Sequence, residues 1–335
     1  MAGRAEDSQR NAPVLVTGST GLLGNNVIRL LLAQGRRVRV LVRAGSDPLP
    51  LQGLDLDVVV GDILDESSLN RAISGVSFVV HSAGCVFLGW RNAKLLDQVN
   101  HLGARNVARA ARSAGVRMLH VSSVNSLGVG TREKLADEQW VAAPNVPCQY
   151  VLSKQAGDRS VQEQVKQGLD AVTVYPALMF GPWDWKPSSG RMLLKVARRF
   201  TPFAPRGGCS VCDVRDVAQA IVNALETAPT GRHYVLGGAN VTYLKIWQTM
   251  AEIAGGSRPI CRFGPLFGIV VGRSGDVWGR LTGREPDVNS ATLKLASRFH
   301  YFSSARAERE LGYSSRHFQE SIKDAWQWFQ EHRYV

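Results

Sequence analysis

The sequence predicts an α/β protein: a doubly wound parallel sheet with a smaller lobe towards the C-terminus. Three observations predict it. Short β-branched runs alternate with helical stretches through the first half of the 335 residues. A glycine-spaced turn separates the first such run from the first helix. From about residue 179 the alternation gives way to Gly/Pro-rich loops such as GPWDWKPSSG and GGSRP. Strand, helix and strand in regular succession imply parallel pairing through right-handed crossovers.

PVLVTG (13–18) reads as a buried strand, and NNVIRLLLAQG as a helix closed by Gly35. RRVRVLVR (36–43) and DVVVGD (57–62) are the next strands, SLNRAIS a short helix and VSFVVHSAG (76–84) a fourth strand. A single long helix is expected over 95–114, followed by the strand VRMLHVSS (116–123), a helix over 150–167 and the strand AVTVYP (171–176). Residues 1–12 are expected to form a flexible tail and 13–178 the sheet domain. VRDVAQAIVNAL and HYVLGG bring 211–238 back to that domain, while 179–210 and 239–335 form the lobe, ending in an amphipathic helix around 317–331.

Composition narrows the classes. Hydrophobic residues make up 44% and charged residues 20%, as in an ordinary packed globular protein. The net charge is +12, but the arginines are scattered and form no basic block. Nucleic acid is therefore not an expected partner, and an anionic cofactor or substrate accounts for part of the excess. The opening MAGRAEDSQRNAP has no apolar signal core. No run approaches the roughly 18 apolar residues of a membrane span; the nearest, PLFGIVVG at 265–272, is short and broken by glycine. A cytoplasmic location is expected. Cys209 and Cys212 form a C-x-x-C, but GGCSVCDV reads as a strand, on which positions three apart face opposite ways. No metal site is expected.

The turn VLVTGSTGLLGNNVIRLLL places Gly18, Gly21 and Gly24 between strand and helix. In that context the first glycine permits the tight turn and the second lets a pyrophosphate approach the backbone. The third lets the helix pack closely, with phosphate at its positive N-terminus. Thr20, Leu22 and Leu23 belong to the same turn, and the sheet becomes one of Rossmann type. At the end of the second strand, where an acidic residue would bond a ribose hydroxyl, stands Arg43. A guanidinium suits a 2′-phosphate, so NADP(H) is expected ahead of NAD(H). Asp62, with Ile63 beside it, ends the third strand where a carboxylate accepts from the adenine amino group.

In QYVLSKQAG, Tyr150 and Lys154 are four apart and share a helix face, separated by about 40°. The order TGSTGLLG, GDI, HSAG, NHLGARNV, VSSV, YVLSK resembles the extended short-chain dehydrogenase/reductases, the NAD-dependent epimerase/dehydratase family. GREPDV, FSSARAERELGY and DAWQWF are similar to C-terminal segments of its dihydroflavonol-reductase-like and hopanoid-associated epimerase/reductase group. The resemblance implies that Tyr150 is the acid/base and that Lys154 supplies charge and a bond to the nicotinamide ribose. It implies that Ser123, rather than Ser122, holds the substrate oxygen. Asn100 matches the family's helical asparagine, and Ala83 and Pro176 line the nicotinamide end. Such folds often pair as homodimers, here through the helices at 95–114 and 150–167.

A free phenol titrates near 10, and a cation about 4 Å away at an effective dielectric of 20 is worth roughly 4 kcal/mol. Lys154 is therefore expected to draw Tyr150 down towards neutrality. Phe87, Trp90, Met179, Trp183 and Trp185 lie on loops beyond the strand ends, where open α/β sheets bind ligands. A pocket lined this way suits a hydrophobic or ring-bearing carbonyl compound. His81 is expected to steady its loop or to touch cofactor backbone. The expected activity is NADP(H)-dependent carbonyl reduction. The alternatives are a sugar-nucleotide epimerase or dehydratase with tightly bound NAD(P), disfavoured by Val151 where such enzymes commonly carry glycine, and a non-catalytic NADP-sensing protein.

Overall fold

The computed structural model describes residues 12–131 and 133–335, so the tail expected over 1–12 lies, but for Ala12, outside the described residues. The first half runs β1 (Val14–Thr17), α1 (Leu22–Ala33), β2 (Val38–Val42), β3 (Asp57–Val60), α2 (Glu66–Ile73), β4 (Phe78–His81). It continues through α3 (Ala93–Leu96), a π-helical segment Asp97–Gly103, α4 (Ala104–Ala114), β5 (Arg117–Val121), β6 (Gly128–Val129), β7 (Ala143–Pro144), α5 (Gln149–Lys166) and β8 (Ala171–Pro176). Next come β9 (Leu178–Phe180), α6 (Gly190–Arg198), β10 (Phe203–Ala204), β11 (Gly208–Asp213), α7 (Val214–Thr227), β12 (His233–Leu236), β13 (Ala239–Thr242) and α8 (Tyr243–Ala254). The chain ends with β14 (Cys261–Arg262), α9 (Pro265–Thr282), α10 (Ser290–Ala296), β15 (Phe299–His300), α11 (Ala305–Leu311) and α12 (Phe318–Glu331).

The main sheet has seven strands in the order β12-β8-β5-β4-β1-β2-β3, and every pairing is parallel. Alternation along β1 divides the core. Val14 and Val16 pack with α1 and α7 on one face, and Leu15 packs with α2, α4 and α5 on the other. A strand buried on both faces needs apolar residues at consecutive positions, which is why VLV reads as an unbroken run. The strand order reverses at β1, between β2 and β4. There the carboxyl ends of neighbouring strands diverge into a crevice, the usual ligand site of such sheets.

A second sheet joins β13 antiparallel to β11, with β9 and β15 parallel to β11. Its core takes α6, α8 and α12. Cys209 faces that core and Cys212 the core beneath the main sheet, so the C-x-x-C straddles a strand. The long helix expected over 95–114 differs from expectation, since a π turn splits it. An extra residue in such a turn frees a backbone carbonyl from the helical ladder, and π turns frequently mark functional sites. PLFGIVVG is the start of α9, and no described helix is long and apolar enough to cross a membrane.

Asp213 fastens the two layers together. Its fully buried carboxylate caps α7, accepting from the Arg215 amide at 2.8 Å and from the Arg215 guanidinium at 2.9 and 2.8 Å. Arg215 also reaches Asp324 of α12 at 2.6 Å. Burial pushes the Asp213 carboxyl up, yet its hydrogen bonds and charge pairing with Arg215 hold it below the usual carboxylate range. Asp213→Asn should lower the unfolding free energy by about 3 kcal/mol, the low end for breaking a buried ion pair, because Arg215 is 31% exposed. Urea denaturation checks this, and a change under about 0.5 kcal/mol, typical of a surface position, would contradict it.

Candidate active site

The crevice is floored by the glycine turn. Gly18 has φ +73°, and a Cβ there would lie 2.6 Å from the Ala83 nitrogen at the end of β4. A Cβ on Gly24 would lie 2.3 Å from the Gly18 carbonyl oxygen. These two positions therefore exclude every other residue, and β1, α1 and β4 draw together. Gly21 is the N-cap of α1, with no side-chain cap and no acidic residue in the first turn. The first amides of α1 thus remain for an outside anion, as a dinucleotide pyrophosphate requires.

The other expected cofactor residues sit along the same ends of the sheet. Arg43 follows β2 and is exposed, and its guanidinium makes no hydrogen bond or ion pair with any described residue. Asp62 lies in the loop after β3, where one carboxylate oxygen accepts from the Leu64 amide at 2.9 Å. Ile63 turns its side chain inward against Gly103, so only its backbone faces the crevice. Ala83 follows β4, and Pro176 ends β8.

Tyr150 and Lys154 share the buried face of α5, both within 6% exposure. Tyr150 packs among Leu96, Val146, Cys148, Ala291 and Leu295, with Cys85 and Leu88 at the edge. The Lys154 ammonium donates to the Val121 carbonyl at 3.1 Å. Neighbouring serines after β5 diverge: Ser123 hydrogen-bonds the Tyr150 phenol, and Ser122 lies 3.2 Å from Ser126 with Asp158 beside it. Asn100, in the π segment, donates to the Cys85 carbonyl (2.9 Å) and to Ser153 (3.0 Å), and accepts from the Cys85 amide (2.8 Å). Ser153 in turn donates to the Tyr150 carbonyl at 2.8 Å.

Burial pushes the Tyr150 phenol up to about 12, although its hydrogen bond with Ser123 pulls the other way. The expectation that Lys154 draws it towards neutrality is not met in the protein alone: desolvation of the phenolate dominates. Burial also lowers Lys154, and the Asp158 carboxylate one turn further along α5 offsets part of that. Asp158 is itself pushed up by burial, but hydrogen bonds from His120 (3.2 Å), Ser122 and Ser126 hold it below its ordinary value. His81 stacks on His120 with ring centroids 5.7 Å apart and bonds the Thr17 hydroxyl at 2.8 Å, tying β1, β4 and β5 together beneath the site.

The expected substrate residues separate. Phe87 and Trp90 stand half-exposed on the loop after β4, whose Cys85 and Leu88 touch the Tyr150 cluster. Met179 is on β9, packed against the core under the main sheet. Trp183 and Trp185 pack instead, tilted or edge-on, against Trp328 and His332 of the C-terminal segment, and the Arg29 guanidinium lies 3.3 Å from the Trp183 ring centre. Trp183 holds φ +71°, a strained backbone for a bulky side chain that such packing fixes. Four residues near the site escaped the sequence reading. Asp158 repeats the i, i+4 spacing after Lys154 and was findable by it. His120, Gly157 and Glu285 carry no such signal.

The model of the NAD dependent epimerase/dehydratase family matches residues 14–237. A Synechocystis sp. protein with the provisional name dihydroflavonol 4-reductase is 34% identical over 96% of this chain and 95% of its own. Sterol demethylase protein B of Methylococcus capsulatus is 33% identical over 95% and 98%, and ceramide reductase of Caulobacter vibrioides 30% over 80% and 79%. Among solved structures, UDP-glucose 4-epimerase of Thermus thermophilus in complex with NAD superimposes with TM-score 0.75 over 95% of this chain and 99% of its own. At 22% identity, that likeness is one of fold.

The buried imidazoles give the site a pH signature. Burial lowers His81, His120, His233 and His300, the last to about 4. Unfolded, each takes a proton near 6.5. Their contribution is therefore complete above that pH and is lost as pH falls towards the folded values. Asp184, raised to about 6 by burial, works in the opposite sense over the same range. With four groups against one, the urea midpoint should fall from pH 7 to pH 5; a flat or rising profile would contradict the neutral assignment.

Proposed function

As the chain belongs to the NAD dependent epimerase/dehydratase family, we propose that it reduces the carbonyl of a hydrophobic or ring-bearing compound with NADP(H). Within that family it is an extended short-chain dehydrogenase/reductase of the dihydroflavonol-reductase-like group, a nicotinamide-dependent enzyme. One observation carries the proposal: a buried, protonated phenol among apolar side chains, with a buried ammonium one turn along α5, near the ends of β4 and β5.

A phenol held up to about 12 keeps its proton at neutral pH. It yields that proton to a much stronger base, such as the oxygen of a carbonyl that is accepting a hydride. Ser123 holds the oxygen towards Tyr150, and Lys154 stabilises the phenolate left behind, with Asp158 sustaining the ammonium in its dry setting. When bound, the nicotinamide supplies the hydride to the carbonyl carbon. The product is the alcohol, and the phenolate regains its proton from solvent. The glycine turn with Thr20, Leu22 and Leu23 would hold the pyrophosphate, Asp62 and the Ile63 backbone the adenine. Asn100 fixes the loop carrying Cys85, and Ala83 and Pro176 would flank the nicotinamide.

Apolar neighbours of Tyr150, with Phe87 and Trp90 at the rim, support a hydrophobic substrate. Relatives named for sterol demethylation and ceramide reduction support the same class. The unpaired Arg43 supports NADP(H), since a guanidinium gains from a 2′-phosphate and little from a hydroxyl. NADPH should bind more tightly than NADH, and Arg43→Asp should narrow or invert that difference in titrations of nicotinamide fluorescence. Equal affinities in the unmodified protein would sink the assignment.

Tyr150→Phe removes one oxygen and keeps the ring packed, so fold and NADPH binding should persist. Turnover on a carbonyl substrate should fall by at least about 10²-fold, the lower range for positioned acid catalysis. Lys154→Met should weaken turnover and cofactor binding together. A Tyr150→Phe enzyme within tenfold of the parent would refute the mechanism.

A further inference from the structure

Helix α9 is built inside out. Its inward face is glycine: Gly268, Gly272 and Gly279 are buried. A Cβ on Gly272 would lie 2.9 Å from the Ser290 Cα, and one on Gly275 2.0 Å from the Val288 carbonyl oxygen. The large apolar side chains point the other way. Leu266 is 79% exposed, Val270 64%, Val277 52%, Trp278 64% and Leu281 78%. At about 100° per residue, Leu266, Val270, Val277 and Leu281 fall within roughly 60° of one another, and the glycines lie across the helix from them. Phe267 extends the surface to Phe203 and Phe263, its ring centre 6.2 and 5.7 Å from theirs, beside the β10–β14 pair. An apolar face of this extent in water marks an interaction surface.

Charge selects the occupant. Residues 259–284 hold four arginines (Arg262, Arg273, Arg280, Arg284) against one acidic residue, Asp276. Asp276 is engaged inward, accepting from the Ser290 amide at 3.0 Å. By the same helical count, Arg273 and Arg280 border the apolar row along one edge. A second copy docked by the same face would set one arginine-bearing surface against another, since a two-fold interface joins the same patch of both copies. An anionic bilayer offers what this face lacks: hydrocarbon for the apolar row and negative headgroups for its arginine edge. We propose that α9 docks the protein on an anionic phospholipid surface, lying in the plane of the interface without crossing it.

The docked face adjoins the candidate active site. The segment after α9 holds the loop that carries Phe87 and Trp90. Glu285 accepts from the Arg91 amide at 2.7 Å, Asn289 donates to the Leu88 carbonyl at 2.8 Å, and the Trp90 indole donates to Ser290 at 2.8 Å. Ala291 and Leu295 of α10 then pack in the Tyr150 cluster. The inference concerns binding alone and stands independently of the carbonyl reading.

Sedimentation of the full chain with vesicles tests it without any substrate. The protein should pellet with vesicles containing phosphatidylglycerol at low salt, and much less with phosphatidylcholine alone. Arg273→Glu with Arg280→Glu leaves the apolar row intact and should weaken partitioning at least about 30-fold, two basic contacts' worth. Leu266→Asp with Leu281→Asp, at positions already in water, should abolish pelleting without changing the melting temperature. A parent that stays in the supernatant with anionic vesicles, or an aspartate variant that pellets as the parent does, would overturn the proposal. So would aspartates whose only effect is to halve the mass seen by light scattering, for that outcome assigns the face to a second copy.

Discussion

The geometry of the site depends on how closely α5 lies against the π segment. A Cβ on Gly157 would stand 2.2 Å from the Asn100 carbonyl oxygen, so only glycine allows the approach. That approach sets the Asn100 amide between the loop after β4 and Ser153, and Ser153 bonds the Tyr150 backbone. A continuous α-helix in place of the π turn would rotate Asn100 away from both. The extra residue of that turn is a local departure that tertiary packing sustains.

Exclusion of water governs the electrostatics that follow. Tyr150, Lys154, His81 and His120 are buried and the Asp158 side chain is 14% exposed, a setting in which a charge without a partner is costly. The structure keeps the imidazoles and the phenol neutral and leaves Lys154 opposite Asp158. Two opposite charges, within electrostatic reach of each other, are thus held beneath a neutral acid. This ordering leaves the Tyr150 phenol protonated, because its burial outweighs its neighbours, which is why the direction of its shift differs from a reading based on Lys154 alone.

The lobe serves the site by shaping its rim. Aromatic side chains that the sequence offers as one set divide in space. Phe87 and Trp90 stay at the pocket loop, secured by Glu285, Asn289 and Ser290, whereas Trp183 and Trp185 close the lobe's own core against α12. A Cβ on Gly89 would fall 2.1 Å from the Glu285 carboxyl carbon, so the rim is packed as tightly as the glycine turn. The same segment continues from α9, which joins the exposed apolar face to the pocket mechanically.

By itself the sequence determined whatever rests on period and local geometry. The parallel strands were legible because both-face burial demands consecutive apolar residues, and the glycine turn because its backbone excludes side chains at Gly18 and Gly24. Ser122 and Ser123 had to face opposite ways because neighbours along an extended chain do, though the choice of Ser123 came from the family resemblance, and Tyr150 and Lys154 shared a face by helical spacing. Only tertiary structure decided the rest. The π turn around Asn100, the His120–Asp158 pair under Lys154, the dispersal of the tryptophans and the outward face of α9 all depend on which distant segments meet. A side chain's burial, and with it the direction in which its proton affinity moves, is a property of those meetings and of no local pattern.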